Sequence, residues 1–213
     1  MKIAVIAADG RSGRAVVAEL LAHGHTVVAG VRNLGRLPIE LRPPNQPRLE
    51  VRTCDATSLE DVMAIVQGCE AVASFIGHVR GSRRDVQTAA IMNVVRAARH
   101  QGIARIISLT GSGVRFPGDR PSGLDRVLNW AVALADPGRV QDGIDHAEVL
   151  RASGLDWTLI RVLKLTRGRG GAFRLTAHGP GKLLVPRIEV AEAVRQVLEE
   201  PSFVGAAPVM SSA

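Results

Sequence analysis

The stretch of sequence that decides the fold is KIAVIAADGRSGRAVVAELLAHG, residues 2–24. Residues 2–7 form a short apolar run, a turn with two glycines follows, and residues 11–23 repeat apolar positions at helical spacing. A strand that passes through a glycine turn directly into an amphipathic helix is the opening unit of a parallel α/β fold.

The same alternation continues to about residue 110. Apolar runs predict further strands at 26–31, 49–53, 71–76 and 103–109, and amphipathic segments predict helices at 59–67 and 84–101. Alternating strands and helices give a parallel sheet that is covered on both faces. We therefore predict an α/β fold with a Rossmann-like, doubly wound parallel sheet in a three-layer αβα sandwich.

The second half of the chain is less regular. Residues 111–122 form a loop rich in Gly and Pro, and the segments after it predict helices at 124–135, 142–152 and 189–199 and strands at 157–162 and 173–176. A chain of 213 residues is long enough for one sizeable core but short for two. We predict a single domain, residues 1–213.

Composition and charge narrow the classes of function. The net charge of +7 suits an anionic partner, but aromatic residues make up only 3% of the chain and do not alternate with arginines as in single-strand binders. We therefore expect a phosphorylated small molecule and no nucleic acid. No apolar run approaches the roughly 20 residues of a membrane helix, and the N-terminal residues do not resemble a signal peptide.

The cysteines and histidines indicate whether disulfides or a metal site are expected. The chain has two cysteines, Cys54 and Cys69, which we expect to be free thiols in a cytoplasmic protein. Its six histidines show no spacing with cysteine or acidic residues that would build a metal site. We expect no metal.

The turn after the first strand has the features of a dinucleotide fingerprint. Gly10 lets the backbone approach a diphosphate, Gly13 lets the helix pack close to the strand, and the helix N-terminus supplies amide donors. Arg11 and Ser12 add further phosphate donors. Two positions depart from the usual pattern, because Ala7 replaces a first glycine and Asp9 adds a negative charge.

The end of the second strand indicates which cofactor fits. Arg32 follows that strand, 22 residues after Gly10, where an NAD-selective fold carries an acidic residue for the ribose 2′-hydroxyl. A guanidinium at this place suits a 2′-phosphate instead, so we predict NADPH. Residues 1–110 then form the cofactor half of the domain and residues 111–213 the substrate-side half.

The next strand ends supply the remaining candidates. Asp55 and Ala56 follow the third strand, where they suit an adenine contact, although Asp55 also suits the N-cap region of the next helix. Gly77 and His78 follow the fourth strand. Gly77 is placed to pass close to a ribose, while His78 fits either a catalytic role at the cleft mouth or an ordinary surface position.

Several segments resemble the NmrA-like group of atypical short-chain dehydrogenases. They are AADGRSG (7–13), VRN (31–33), CDAT (54–57), ISLTGSG (107–113) and HAEVLRASGLDWTLIR (146–161). Within that group, the tail GAFRLTAHGPGKLLVPRIEVAEAV (171–194) is similar to the end of the flavin and biliverdin-IXβ reductases. The resemblance covers nearly the whole chain.

This resemblance implies a sheet ordered 3-2-1-4-5-6-7 with NADPH across the strand ends. It implies the cofactor contacts given above for Gly10, Arg11, Ser12, Gly13, Arg32, Asp55, Ala56 and Gly77. It adds Thr110 as a hydroxyl at the end of the fifth strand. In those reductases a serine follows this threonine, whereas here Gly111 follows and Ser112 comes one place later. The hydroxyl that orients the nicotinamide is therefore either Thr110 or Ser112.

The chain contains no tyrosine, which excludes the Tyr–Lys proton chemistry of short-chain alcohol dehydrogenases and of related epimerases and dehydratases. The segment where such a dyad would fall offers Asp142, Asp145, His146 and Glu148 instead, which also suit a helix surface. Hydride transfer to a flat, electron-poor acceptor needs no strong protein acid, and the proton comes from solvent or from His78 or His146.

The sequence therefore predicts an NADPH-dependent reductase of a flavin, a quinone or a linear tetrapyrrole, acting as a monomer or homodimer. Arg161 and Lys164 are candidates for binding an acidic group of the acceptor or for plain surface charge. The competing hypothesis is a sensor that binds NADP(H) without turnover and passes the redox state to a partner, as NmrA-like relatives do.

Overall fold

A computed structural model describes residues 1–38, 41, 46–79, 81–200 and 202–213. Its ten strands are β1 (Lys2–Ile6), β2 (Thr26–Val31), β3 (Leu49–Thr53), β4 (Ala71–Ser74), β5 (Arg105–Gly111), β6 (Asp156–Val162), β7 (Lys164–Thr166), β8 (Phe173–Thr176), β9 (Leu184–Pro186) and β10 (Val209–Ser212). Its α-helices are α1 (Arg11–Ala22), α2 (Leu59–Val66), α3 (Val86–Gln101), α4 (Gly123–Ala135), α5 (Pro137–Arg151) and α6 (Arg187–Glu199).

Eight strands form one sheet in the order β3-β2-β1-β4-β5-β6-β10-β8, and all neighbours are parallel except β10 and β8. The Rossmann-like fold and the order of the first six strands are as predicted. The seventh place is filled by the C-terminal strand β10, which the sequence did not predict. The predicted strand at 173–176 exists and lies outside it, antiparallel, at the edge of the sheet.

The register brings the ends of the central strands to one level. Ile6 pairs with Gly30 on one side and with Ser74 on the other, and Ser74 pairs with Ser108. Because these strands are parallel, the turns that follow them emerge at the same edge of the sheet. The candidate residues after β1, β2, β3, β4 and β5 therefore share one edge.

Alternation along the strands divides the core into two layers. Ile3 and Val5 pack in the layer that holds α1 and α6, whereas Ala4 and Ile6 pack in the layer that holds α2, α3 and α5. Successive side chains of a strand point to opposite faces, so β1, apolar at every position after Lys2, feeds both layers. This explains why the strand reads as a continuous apolar run.

Helix α5 begins earlier than the sequence pattern predicts. The Asp136 carboxylate accepts a hydrogen bond from the Arg139 amide, and Pro137 occupies the first turn, where a missing N–H costs nothing. These start signals place the beginning of the helix at Pro137 rather than at residue 142.

Arg161 is a buried residue of β6, and neither role predicted for it is correct. Its side chain is fully buried, and its guanidinium forms an ion pair with Asp119 and donates to the carbonyls of Val114, Ala177 and Ala207. It also lies 5.0 Å from the ring centroid of Phe116. Arg161 therefore ties the loop after β5 to the segments beside β8 and β10, and it is not available to an acceptor.

His146 is buried between α5 and the sheet, on the side away from α1. Its Nε2 lies 3.0 Å from the hydroxyl of Ser108, and its Nδ1 has no partner in the described part of the chain. Burial lowers the pKa of His146 to about 4, against a smaller opposing effect of Asp142. The ring is therefore neutral at physiological pH.

Both cysteines are free, as predicted, and both are buried. Burial raises the pKa of the Cys54 thiol to about 12, with smaller contributions from Asp61 and Asp55, so it is not a reactive nucleophile. Among the described residues, no helix combines the length and apolar content needed to cross a membrane.

Substitution of Arg161 tests its structural role. Arg161→Met removes the guanidinium donor from the Asp119 carboxylate and from three carbonyls, and breaking a buried pair in this way costs about 3–5 kcal/mol of unfolding free energy. Urea denaturation measures this loss of unfolding free energy. Arg96→Met, on the exposed surface of α3, is the control and should change stability by less than about 0.5 kcal/mol. Equal stability of the two variants would contradict the assignment.

Burial of His146 predicts a pH-dependent stability. Between its folded pKa of about 4 and its unfolded value near 6.5, the unfolded chain binds more protons, so stability falls as the pH drops through this window. His146→Gln should remove up to about 1.4 kcal/mol per pH unit of that slope. Urea titrations from pH 7 to 4 measure how the free energy of unfolding depends on pH. The exposed His100→Gln variant should keep the wild-type slope, and a His146→Gln slope equal to wild type would refute the prediction.

Candidate functional site

The turn between β1 and α1 brings the helix unusually close to the strand. A Cβ at Gly13 would lie 2.3 Å from the Ala7 carbonyl oxygen and 2.8 Å from the Ala8 Cα, so only glycine fits there. The Gly10 amide donates to the same Ala7 carbonyl at 3.0 Å. Ala7 itself has a φ of 59°, a left-handed conformation that explains why a glycine is usual at this position.

In the described part of the chain, no side chain caps the N-terminus of α1. Helices α2, α4 and α5 are each capped by a side chain, namely Ser58, Ser122 and Asp136, whereas α1 has no capping side chain and no acidic residue in its first turn. The amides of this turn and the positive end of the helix dipole therefore remain available to an anion.

Asp9 lies in this turn but is buried. Its Oδ2 atom has no hydrogen-bond partner among the described residues. An unpaired buried carboxylate oxygen is costly, so this position favours a ligand that brings a hydroxyl or amide donor to it.

The ends of β2 and β3 place Arg32 and Asp55 near each other. Arg32 is exposed, and Asp55 accepts hydrogen bonds from the amide and the hydroxyl of Thr57. These two bonds, with a smaller contribution from Arg32, hold the pKa of Asp55 below its usual value. The cap of α2 is Ser58, so Asp55 closes the turn before that helix rather than capping it. Ala56 is buried beside this turn.

The end of β4 is open toward solvent. Gly77 is exposed, and a Cβ built on it would meet no atom within 4 Å. His78 is largely buried, and its Nε2 lies 2.8 Å from Asp142 Oδ2. A carboxylate oxygen accepts hydrogen bonds, so this contact orients the ring with its Nε2–H group toward Asp142.

Asp142 is a residue whose role the sequence did not reveal. From α5 it accepts hydrogen bonds from the amides of Gln87 and Thr88 in the first turn of α3, and from the Thr88 hydroxyl. It thus caps a helix that lies 54 positions earlier in the chain, and it orients His78 at the same time. Of the neighbouring acids, Asp145 binds Gln141 and Glu148 binds Arg151 on the helix surface.

The candidates at the end of β5 separate into different environments. Thr110 is buried next to Gly143 of α5, where a Cβ would lie 3.2 Å from the Thr110 hydroxyl oxygen. Ser112 is also buried, and its hydroxyl donates to Asp125 and accepts from Asn129 of α4. The geometry therefore assigns Ser112 to holding α4 in place.

His146 is likewise not part of this edge. Its hydrogen bond is made with Ser108, which lies two residues before Thr110 on β5. Its ring is almost completely buried. The prediction that His146 donates a proton to a substrate is not supported by this placement. His78 is the histidine that lies at the edge. In the described part of the chain, no group of three His, Cys, Asp or Glu side chains is arranged to hold a metal ion.

Comparison with known proteins identifies a family and a shared fold. The model of a family described as NAD(P)H-binding matches residues 7–201. An uncharacterized chloroplastic protein of Arabidopsis thaliana is 25% identical over 168 residues, which cover 75% of this chain and 58% of that relative. The chain therefore spans less than two thirds of the relative's length.

Solved structures share the fold. A short-chain dehydrogenase/reductase from Veillonella parvula in complex with NADP is 20% identical, with a TM-score of 0.82 and coverage of 99% of this chain and 94% of the other. The oxidoreductase ylbE from Lactococcus lactis is 16% identical, with a TM-score of 0.80 and coverage of 100% and 91%. At these identities the likeness concerns the fold. The family match spans most of the chain, so this protein belongs to the NAD(P)H-binding family.

Proposed function

We propose that this protein is an NADPH-dependent reductase that transfers hydride to a flat, electron-poor acceptor such as a flavin. The observation that carries the proposal is the uncapped start of α1 at a glycine turn, with the exposed Arg32 at the end of the neighbouring strand. The first feature suits a diphosphate, and the second suits the additional 2′-phosphate.

The residues along the edge of the sheet would divide the dinucleotide among them. Amides of Arg11, Ser12 and Gly13 would bind the diphosphate, and Arg32 the 2′-phosphate. Asp55 and Ala56 border the place for an adenine. Gly77 leaves room for the second ribose, and Thr110 is the remaining hydroxyl for the nicotinamide side. The bound cofactor would supply the hydride.

The absence of tyrosine restricts the acceptor more than the cofactor. A carbonyl substrate needs a proton donor in step with hydride transfer, whereas an electron-poor ring such as a flavin accepts hydride at nitrogen and takes a proton from water. His78, oriented by Asp142, is the protein group placed to exchange that proton. The protein then contributes position and exclusion of water.

Turnover is the direct test of this proposal. Purified protein mixed with NADPH and FMN, riboflavin or a quinone should consume NADPH. The decrease of absorbance at the nicotinamide band measures this consumption. Calorimetry on the same sample should detect NADPH binding. Binding of both redox states without turnover of any flavin or quinone would identify a redox sensor instead, and absence of binding would refute both functions.

Arg32→Ala should weaken NADPH selectively. Loss of a charge-assisted contact to the 2′-phosphate should raise the NADPH dissociation constant about ten- to a hundredfold, and the NADH constant should change by less than about twofold. Calorimetric titration of both cofactors measures this. Arg96→Ala removes the same charge from the exposed surface of α3 and should affect neither. Equal losses for NADPH and NADH on Arg32→Ala would contradict the phosphate assignment.

A further inference from the structure

Four arginines line a cleft beside the turn between β1 and α1. The cleft has a volume of about 350 Å³. Arg11 and Arg14 come from the start of α1, Arg167 follows β7, and Arg187 begins α6. This volume lies within the range of about 300–1,000 Å³ that is usual for small-molecule sites. We refer to this feature as the arginine cleft.

The positive charge of the arginine cleft has no carboxylate partner among the described residues. Arg14 and Arg187 donate only to backbone carbonyls, those of Arg36 and Thr166, and no hydrogen bond or ion pair involves the side chains of Arg11 or Arg167. The Arg187 Nε atom is buried and has no hydrogen-bond partner among the residues that the structure describes. Four like charges are therefore held together without a counter-charge from the residues that the structure describes.

Two helix N-termini add to this charge. Helix α6 begins at Arg187, packs along α1, and has no capping side chain, as is also true of α1. The acidic residue in its first turn, Glu189, is already paired with Lys182. Burial, followed by the charges of Arg11 and Arg167, lowers the pKa of Arg187, which reflects the repulsion inside the cluster.

We propose that the arginine cleft is a phosphate-binding site in which Arg167 and Arg187 contact phosphate oxygens on the side opposite the glycine turn. Such an arrangement is stable when a polyanion compensates the repulsion, and guanidinium groups bind phosphate oxygens in pairs. The proposal goes beyond the glycine turn, because it adds residues from the substrate-side half of the domain to the site. It rests on the proposed function only for the source of the phosphate.

Two sources share this chemistry. One is the diphosphate of the dinucleotide, which would then be bound from α1 on one side and from α6 on the other. The other is a phosphate monoester on the acceptor, as in FMN compared with riboflavin. The two sources differ in which ligand loses affinity when the cleft is altered.

The experiment uses inorganic pyrophosphate as the probe, with calorimetry on the full chain at low and at moderate salt. Arg167→Gln is the main variant, because Arg167 is exposed and makes no bond that the fold needs. Arg187→Gln is the second variant. Arg96→Gln removes an equal charge from α3, on the opposite face of the sheet, and is the matched control.

We expect pyrophosphate to bind the wild-type chain and to lose affinity roughly tenfold with Arg167→Gln, with a weaker salt dependence, while Arg96→Gln stays within about twofold. If the cofactor supplies the phosphate, NADPH and NADH weaken alike, unlike the selective loss with Arg32→Ala. If the acceptor supplies it, the KM for FMN rises while those for riboflavin and NADPH stay unchanged.

The proposal is overturned if pyrophosphate does not bind wild type, or if Arg167→Gln and Arg187→Gln bind it as Arg96→Gln does. These failures are distinct from failure of the proposed function. Normal NADPH binding with an indifferent cleft would remove the site and leave the reductase proposal in place. Pyrophosphate binding that depends on Arg167, without binding of any nicotinamide nucleotide, would support the phosphate site and refute the reductase proposal.

Discussion

The structure depends on the contact between α1 and the end of β1. At Gly13 the helix backbone lies so close to the strand that a single methyl group would clash with the Ala7 carbonyl and the Ala8 Cα. This contact fixes where the helix begins. Since β1 is the central reference for the parallel register, the same contact also fixes the start of α1 relative to the ends of β2, β4 and β5. The position of the candidate site follows from it.

Helices α1 and α3 both begin at this edge, and their free N-terminal amides are treated differently. The first turn of α3 receives the Asp142 carboxylate from α5, so its free amides are satisfied within the protein. Among the described residues, no side chain caps the first turn of α1, and Arg11 and Arg14 line the cleft beside it. An open helix N-terminus next to unpaired guanidinium groups is a poor arrangement for stability alone. It is a good one for binding an anion.

The sequence predicted the parts of this molecule that depend on local order. Strand, glycine turn and helix are adjacent in the chain, so residues 2–24 predicted the turn, and the same alternation up to about residue 110 predicted the fold. The C-terminal strand β10 was missed because its four residues carry little pattern and gain their structure from pairing with β6 and β8. Arg161 was misjudged for a related reason, because its partners lie 16 to 47 positions away in the chain.

The candidate catalytic residues were also misjudged where their surroundings depend on contacts between distant parts of the chain. Residue type alone allowed Ser112 and His146 to be catalytic, but Ser112 is buried against α4 and His146 is buried against β5. What remains at the edge is one histidine oriented by one carboxylate. Because Asp142 also holds the start of α3, it cannot move toward a substrate without exposing that helix end. Of the two histidines predicted as proton donors, His78 is the one that lies at this edge, which supports the proposal of an acceptor that needs little help from a protein acid.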